Sequence, residues 1–181
     1  MQHWPLPYED RLQARPAARI DLVVIHCTEL PDLATAREYG ERMLHASGTG
    51  NSGHYYIDRD GSIHVFVSPA RVAHHTRGHN ERSVGIELVN TGRFPDWLDS
   101  RHQGMDEPYT EAQVLALVAL LKELQRDIPS LEFIAGHEDL DRDTVPATND
   151  PHQQVSRKRD PGPRFPWSRV LDQTTLSRLR P

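Results

Sequence analysis

This chain of 181 residues has a single cysteine, and it shows neither a long apolar run nor an N-terminal signal segment. Its single cysteine, Cys27, excludes an internal disulfide and says nothing about the redox compartment. No apolar run approaches the ~20 residues that a membrane-spanning helix needs. The residues before position 20 include three prolines and lack the apolar segment of a secretory signal. We therefore expect a cytoplasmic protein, or else a periplasmic one whose signal sequence has been removed.

The chain also lacks a surplus of positive charge. Lysine and arginine total 21 against 26 aspartates and glutamates, so the formal net charge is −5. Nucleic-acid-binding proteins usually carry a basic surface that meets the phosphates, so this balance argues against a nucleic-acid partner. The length suits one domain with a single core, and we expect a monomer.

Strand and helix patterns alternate along the chain. Strands are predicted over residues 21–28, 54–57, 63–67, 83–90 and 131–137. A first helix is predicted over 32–47, and a stronger one begins at Thr110, where Gln113 completes a capping box. The predicted class is α/β, with a central mixed sheet flanked by helices in a single domain over 20–181. Residues 1–19 are predicted to form an irregular N-terminal arm.

Two predicted strands end in histidine, and a third polar group follows near the C-terminus. His26 and His137 end their strands, while Lys158 and Asp160 lie two residues apart before Pro-Gly-Pro. In an extended segment such a pair projects to the same side. Two imidazoles and one carboxylate, with a fourth position left to water, compose a catalytic zinc site. The alternative is that the histidines are hydrogen-bonded surface residues and the acid is incidental. Cys27 should point to the opposite face of its strand from His26.

Five segments in a fixed order carry a family resemblance. They are Val24-Ile-His26-Cys-Thr28, His54-Tyr-Tyr-Ile-Asp-Arg-Asp-Gly61, Ser83-Val-Gly-Ile-Glu87, Ala135-Gly-His137 and Arg157-Lys-Arg-Asp-Pro-Gly-Pro163. Together they resemble the zinc-dependent N-acetylmuramoyl-L-alanine amidases, which include anhydro-muropeptide amidases, phage amidases and peptidoglycan recognition proteins. The resemblance runs from about Asp21 to Trp167 and implies the peptidoglycan-recognition-protein-like amidase fold.

The resemblance also implies roles for individual residues. It implies that one Zn²⁺ per chain is bound by His26, His137 and Asp160. Glu87 matches the general base of the family, and Lys158 matches the lysine that faces the developing oxyanion. The chemistry suits these residue types, because amide hydrolysis needs a polarised carbonyl, a deprotonated water and a stabilised oxyanion.

Three further residues are predicted to bind substrate. His75 falls near a family histidine that lines the substrate groove, and Asn80 matches a family asparagine that precedes the Ser-x-Gly-Ile-Glu strand. Arg77 is a candidate because a guanidinium can hold a peptide carboxylate with two hydrogen bonds. Some phage relatives use a tyrosine as an additional catalytic group, but Gly53 stands at that position here. Glu87 must then carry the role of the base.

The implied activity is hydrolysis of the amide between the lactyl group of N-acetylmuramic acid and L-alanine. The expected substrate is either intact peptidoglycan or a muropeptide, and the sequence motifs fit both. A non-catalytic muropeptide-binding module is the main alternative, and it is expected to lack a zinc ligand or the base. An unrelated α/β protein with structural histidines is a third possibility.

Two long polar segments border the predicted site. Residues 138–157 separate the second histidine from Lys158, and they could reshape the groove or cover it. The segment from Arg93 to Tyr109, which contains Trp97, could form a groove wall. A solvated loop is the simpler expectation for that segment.

Overall fold

A seven-stranded mixed sheet forms the centre of the structure, a computed structural model that describes residues 1–180. The strands, in chain order, are β1 (Gln2–His3), β2 (Leu22–Cys27), β3 (Tyr55–Ile57), β4 (Ile63–Val65), β5 (Ser83–Leu88), β6 (Phe133–Gly136), β7 (Thr144–Pro146), β8 (Gln154–Ser156) and β9 (Ser177–Arg178). The helices are α1 (Leu33–Glu41), α2 (Glu111–Asp127), α3 (His137–Leu140) and α4 (Trp167–Leu171). The order across the sheet is β1-β4-β3-β5-β2-β6-β9.

The sheet is mixed because β3 and β4 form an antiparallel hairpin, whereas the other neighbouring pairs are parallel. Strands β7 and β8 form a separate antiparallel hairpin. The predicted single-domain α/β class, with a central mixed sheet and flanking helices, is confirmed. Among residues 1–180, no helix combines the length and the apolar character needed to cross a membrane.

Helix α2 covers one face of the central strands. Thr110 accepts a hydrogen bond from the backbone amide of Gln113 (3.1 Å), and Gln113 accepts one from the Thr110 amide (3.1 Å), as the capping box predicts. The helix buries its predicted apolar stripe against alternate residues of β2 and β5, among them Val23 and Ile86. The residues between these, including Val24, point to the opposite face. The face away from α2 carries the candidate site.

Strand register brings two of the predicted site residues together. Strands β2 and β5 are parallel, and His26 lies directly opposite Glu87 in the pairing. Both side chains therefore point to the same face at the carboxyl ends of their strands. Cys27 pairs with Leu88 and so faces the α2 side, as predicted. His137 begins α3 directly after β6, the other neighbour of β2. Ligand sites of open α/β sheets commonly lie at this edge.

The first helix is shorter than predicted. It ends at Glu41 instead of residue 47, and Arg42 already has an extended backbone (φ −67°, ψ 121°). The amides of Leu44 and His45 both donate to the carbonyl of Thr49 at 2.9 Å, which turns the chain back on itself. The carbonyl of Gly40, which a continuing helix would pair with the amide of Leu44, instead accepts a hydrogen bond from the Tyr8 hydroxyl (2.6 Å). This tertiary contact overrides the helical periodicity of the segment, and Leu44 is left 62% exposed.

The segment between β5 and α2 is packed and is not a solvated loop. The carbonyl of Leu98 accepts a hydrogen bond from the amide of Thr148 (2.9 Å), which lies in the connection between β7 and β8. Ser100 donates its amide to the side chain of Asn149 (2.8 Å). The β7–β8 hairpin, within the predicted polar segment 138–157, and residues 91–108 therefore form one continuous wall. The simpler expectation of a solvated loop was wrong for this segment, because Arg93, Asp99 and Met105 are buried within it.

The N-terminal residues are held against the sheet. Strand β1 pairs with β4, and Leu6 is buried, whereas Trp4 remains 41% exposed. The buried Arg15 guanidinium donates to the carbonyls of Pro69, Asn80 and Ser83, each at 2.8 Å. Arg15 thereby ties the N-terminal segment to the loop that precedes β5.

His54 makes a test of this packing possible. Its Nδ1 accepts the Gly85 amide (3.0 Å), and its Nε2 lies 3.0 Å from the Arg71 carbonyl. Burial, with a smaller effect of Arg15, lowers the pKa of His54 from 6.5 to about 3. Between these two pKa values the unfolded chain binds a proton that the folded chain does not bind. The free energy of unfolding should therefore fall as the pH drops below about 6.5, by up to ~1.4 kcal/mol per pH unit for each such group.

We expect His54→Gln to reduce this slope in urea unfolding of the metal-free protein between about pH 5 and pH 7. His152→Gln, at an exposed histidine, serves as the matched control and should leave the slope unchanged. An unaltered slope in His54→Gln would show that the buried histidine does not control the acid sensitivity.

Candidate metal centre

Three buried side chains from distant parts of the chain converge at the carboxyl edge of the sheet. They are His26, His137 and Asp160, and one ligating atom from each lies within 4.8 Å of the others. Nδ1 of His26 is 2.8 Å and Nδ1 of His137 is 3.1 Å from Oδ2 of Asp160. Each side chain is at most 5% exposed. The structure thus brings together the three residues that were predicted as metal ligands.

The cluster has the composition and polarity of a metal site. Among residues 1–180, Oδ1 of Asp160 is buried and has no hydrogen-bond partner, a situation that calls for a physical explanation such as an ion. Both imidazoles direct Nδ1 at the same carboxylate. Two imidazoles and one carboxylate leave a fourth position open, as catalytic zinc sites do. This group of residues could therefore hold a metal ion.

The protonation states fit the same role. Burial lowers the pKa of His26 to about 4, so the ring stays neutral at neutral pH, which is the form that binds metals. Burial raises the pKa of Asp160, but His137 and His26 lower it by more, so it lies well below its usual range. The cluster accordingly offers the neutral ring of His26 and an ionised carboxylate.

His75 contacts the His26 ring on the side away from the cluster and so orients it. Nε2 of His26 lies 3.1 Å from Nδ1 of His75 and 3.3 Å from the hydroxyl of Thr76. With Nε2 held by these partners, Nδ1 is directed at the cluster. A side chain at Gly85 is excluded, because its Cβ would lie 2.6 Å from the His75 ring. Asn80 accepts the amides of His75 (3.0 Å) and Thr76 (2.7 Å) and so holds this loop.

Glu87 and Lys158 border the cluster and line the same groove. Burial raises the pKa of Glu87 well above its usual range, the Asp160 carboxylate adds to this effect, and the Lys158 ammonium opposes it. The backbone of Gly53 packs against Glu87, and a Cβ at that position would lie 2.8 Å from Cγ of Glu87. A tyrosine would not fit there without displacing Glu87.

The groove encloses about 840 Å³, within the range of small-molecule and cofactor sites. Tyr39 of α1 lines it together with Arg42, Leu44, His45, Asn51 and His74. Its lining also includes Arg157 and, from the wall that residues 91–108 form with the β7–β8 hairpin, Trp97 and Leu98. The interpretation of Trp97 as part of a groove wall is therefore the correct one.

Arg77, predicted to bind substrate, lies at the edge of this groove and is 70% exposed. It is paired with Asp143 at 2.5 Å and lies 3.9 Å from Asp141, both from the segment that leads into the hairpin. The substrate-binding roles of Arg77, His75 and Asn80 remain predictions.

Sequence analysis did not find one further pair of buried charges beside the groove. Glu29 and Arg93 face each other with Oε1 and Nε 2.6 Å apart. Neither residue belongs to a recognisable motif, and both follow strands in segments without periodicity. No sequence signal joins them, because they are 64 positions apart and no motif includes either residue.

The fold and the cluster together define a single-domain α/β protein with a candidate metal centre at the carboxyl edge of its sheet. The family model described as N-acetylmuramoyl-L-alanine amidase matches residues 16–163. Because the match spans most of the sequence, the chain belongs to this amidase family, and the predicted resemblance is confirmed.

Individual relatives agree with this assignment. The chain is 29% identical to the 1,6-anhydro-N-acetylmuramyl-L-alanine amidase AmpD of Enterobacter cloacae, across 97% of this chain and 91% of that protein. It is 28% identical to the N-acetylmuramoyl-L-alanine amidase AmiD of Escherichia coli, across 91% of this chain and 57% of AmiD.

Solved structures show the same fold. AmiD in complex with an anhydro-N-acetylmuramic acid tripeptide has a TM-score of 0.67 at 25% identity, covering 91% of this chain and 62% of that one. A structure of the ectodomain complex of peptidoglycan recognition proteins LCa and LCx has a TM-score of 0.64 at 20% identity, covering 91% and 92%. The predicted peptidoglycan-recognition-protein-like amidase fold is confirmed.

The contact behind His26 leads to a prediction about metal binding. We expect His75→Ala to weaken the binding of Zn²⁺, used as a probe ion, by about 10–100-fold, because a residue that orients a ligand contributes this much. Competition with a chromophoric chelator measures the affinity. His79→Ala, at a half-buried histidine of the same loop, is the matched control. Equal affinities in both variants would contradict an orienting role for His75.

Proposed function

We propose that this protein is a zinc-dependent amidase that cleaves the bond between the lactyl group of N-acetylmuramic acid and L-alanine. The convergence of His26, His137 and Asp160 beside Glu87 is the observation that carries the proposal. Zinc held by these three ligands supplies Lewis-acid activation of the amide carbonyl and of a water molecule.

Glu87 serves as the proton shuttle. It lies directly opposite His26 in the strand pairing and faces the groove. A carboxylate at this place takes a proton from the attacking water and passes it to the leaving amine.

Lys158 stabilises the oxyanion. It lines the groove two residues before Asp160, so one segment provides both a metal ligand and an ammonium. A fixed positive charge at this place acts mainly on the negative charge that develops in the tetrahedral transition state. Its removal should therefore lower kcat more than it raises KM.

We propose an anhydro-muropeptide as the preferred substrate and the cytoplasm as the place of action. The name of the Enterobacter relative specifies the 1,6-anhydro sugar, and the chain covers 91% of that protein. The AmiD structure contains an anhydro-N-acetylmuramic acid tripeptide. A groove of about 840 Å³ offers room for a sugar and part of a stem peptide.

The first test compares hydrolysis of a purified anhydro-muropeptide and of intact sacculi, with and without a chelator. We expect Glu87→Gln to lower kcat by about 10²–10⁴-fold while zinc content is retained, because general acid–base catalysis contributes this much. Asp160→Ala should lose both zinc and activity. Chromatography of the released stem peptide and elemental analysis measure the two properties.

The controls separate the rival interpretations. Asp150→Ala, at a carboxylate outside the groove-lining set, should keep zinc and activity. If the wild type binds zinc and muropeptide but cuts neither substrate, the protein is a binding module. If it binds no zinc, the assignment of the metal ligands is wrong.

Arg77 provides a separate test of substrate recognition. If its guanidinium exchanges Asp143 for a carboxylate of the stem peptide, Arg77→Met should raise KM about tenfold with little change in kcat, as expected for a lost charge-assisted hydrogen bond. Arg142→Met, at an exposed arginine, is the matched control. An unchanged KM in Arg77→Met would remove this residue from the binding site.

A further inference from the structure

Arg93 is a charged residue whose side chain is buried, and burying a charge costs free energy. Its side chain is 1% exposed, and that of its partner Glu29 is 10% exposed. The two groups face each other in a forked pair, with Nε 2.6 Å from Oε1 and Nη2 2.9 Å from Oε2. A buried ion pair is often no more stabilising than a well-packed apolar pair. Stability alone is thus a weak reason for these two residues.

The remaining donors of Arg93 point at one short segment of backbone. Nη1 donates to the carbonyl of Ser156 at 2.9 Å and to the side chain of Gln103 at 3.2 Å. Nη2 also lies 3.5 Å from the carbonyl of Arg157, a longer and weaker contact. These two carbonyls immediately precede Lys158. Glu29 therefore fixes the orientation of the Arg93 guanidinium. The N–H groups that Glu29 does not bind hold the backbone just before Lys158.

The metal ligand that follows has its own supports. The carbonyl of Asp160 accepts the amide of Glu138 (2.9 Å), and the Tyr109 hydroxyl donates to the carbonyl of Pro161 (2.7 Å). These contacts lie on the other side of Lys158 from Arg93. A change at Arg93 should therefore disturb the lysine more than Asp160.

We propose that Arg93, fixed by Glu29, is a positioning residue that sets the backbone from which Lys158 reaches into the groove. A lysine has a flexible four-carbon side chain, so its ammonium acts at a defined point only if its backbone is held. The inference rests on the proposed function, in which Lys158 stabilises the oxyanion.

A double-mutant cycle tests whether Arg93 acts through Lys158. Arg93→Met should lower kcat about tenfold or more, with little change in KM or in zinc affinity. In the Lys158→Met background the same change should cost less than about threefold, because the group that Arg93 positions is already absent. Equal losses in the two backgrounds would overturn the proposal.

A matched control exists on the same wall. Arg59 and Glu107 form another forked pair, with Nε 2.7 Å from Oε1 and Nη2 3.2 Å from Oε2, at the far end of residues 91–108. Arg59→Met should lower thermal stability without the drop in kcat. If both arginine variants lose kcat in proportion to stability, Arg93 has only a structural role.

A second readout does not depend on the reaction. The chain contains two lysines, Lys122 and Lys158, and Lys122 is exposed on α2. Reductive methylation with ¹³C-formaldehyde labels both lysines and the N-terminal amine, and Lys122→Arg and Lys158→Met assign the two lysine signals. In the wild type the Lys158 signal should differ from that of Lys122 in shift and relaxation. In Arg93→Met it should approach the values of a free side chain, and an unchanged signal would contradict the proposal.

The two measurements distinguish failure of the inference from failure of the proposed function. If Lys158→Met keeps full activity, the oxyanion role is wrong, while the methyl signal still shows whether Arg93 positions the lysine. Glu29→Gln covers the case in which Arg93→Met does not fold. It keeps the shape of the pair, weakens the fork and should move the Lys158 signal in the same direction by a smaller amount.

Discussion

The parallel pairing of β2 with β5 is the constraint on which the rest of the site depends. It places His26 directly opposite Glu87 on the face that α2 does not cover. Because side chains alternate along a strand, a shift by one residue would turn one of these groups into the apolar core. The packing of residues such as Val23 and Ile86 on α2 therefore sets the position of the candidate metal ligand and of the proposed base.

Two glycines provide the space in which the polar groups fit. Gly85 lies on the groove side of β5, and its missing side chain leaves room for the ring of His75, which in turn contacts His26. Gly53 does the same for Glu87. A buried polar group is tolerated only with partners at short distances, and close approach of backbone to ring or carboxylate provides them.

Buried arginines hold the loops that carry the site. Arg15 binds the carbonyls of Asn80 and Ser83, next to the loop that bears His75, and Arg93 binds the carbonyl of Ser156, two residues before Lys158. A guanidinium has five donors in a rigid plane and can satisfy several carbonyls at once. Loops without strand or helix hydrogen bonds need such partners, so a rigid groove can be built from irregular segments.

Local patterns in the sequence determined the helix capped by Thr110, the buried strand that carries His26, and the candidate ligands in their ordered segments. These features depend on neighbours along the chain or on short motifs, which one sequence contains in full. Tertiary structure alone decided the end of α1 at Glu41, the wall that residues 91–108 build with the β7–β8 hairpin, and the pairing of Glu29 with Arg93. Each of these depends on contacts between segments whose local sequence is compatible with several conformations, and only burial against a distant partner selects one.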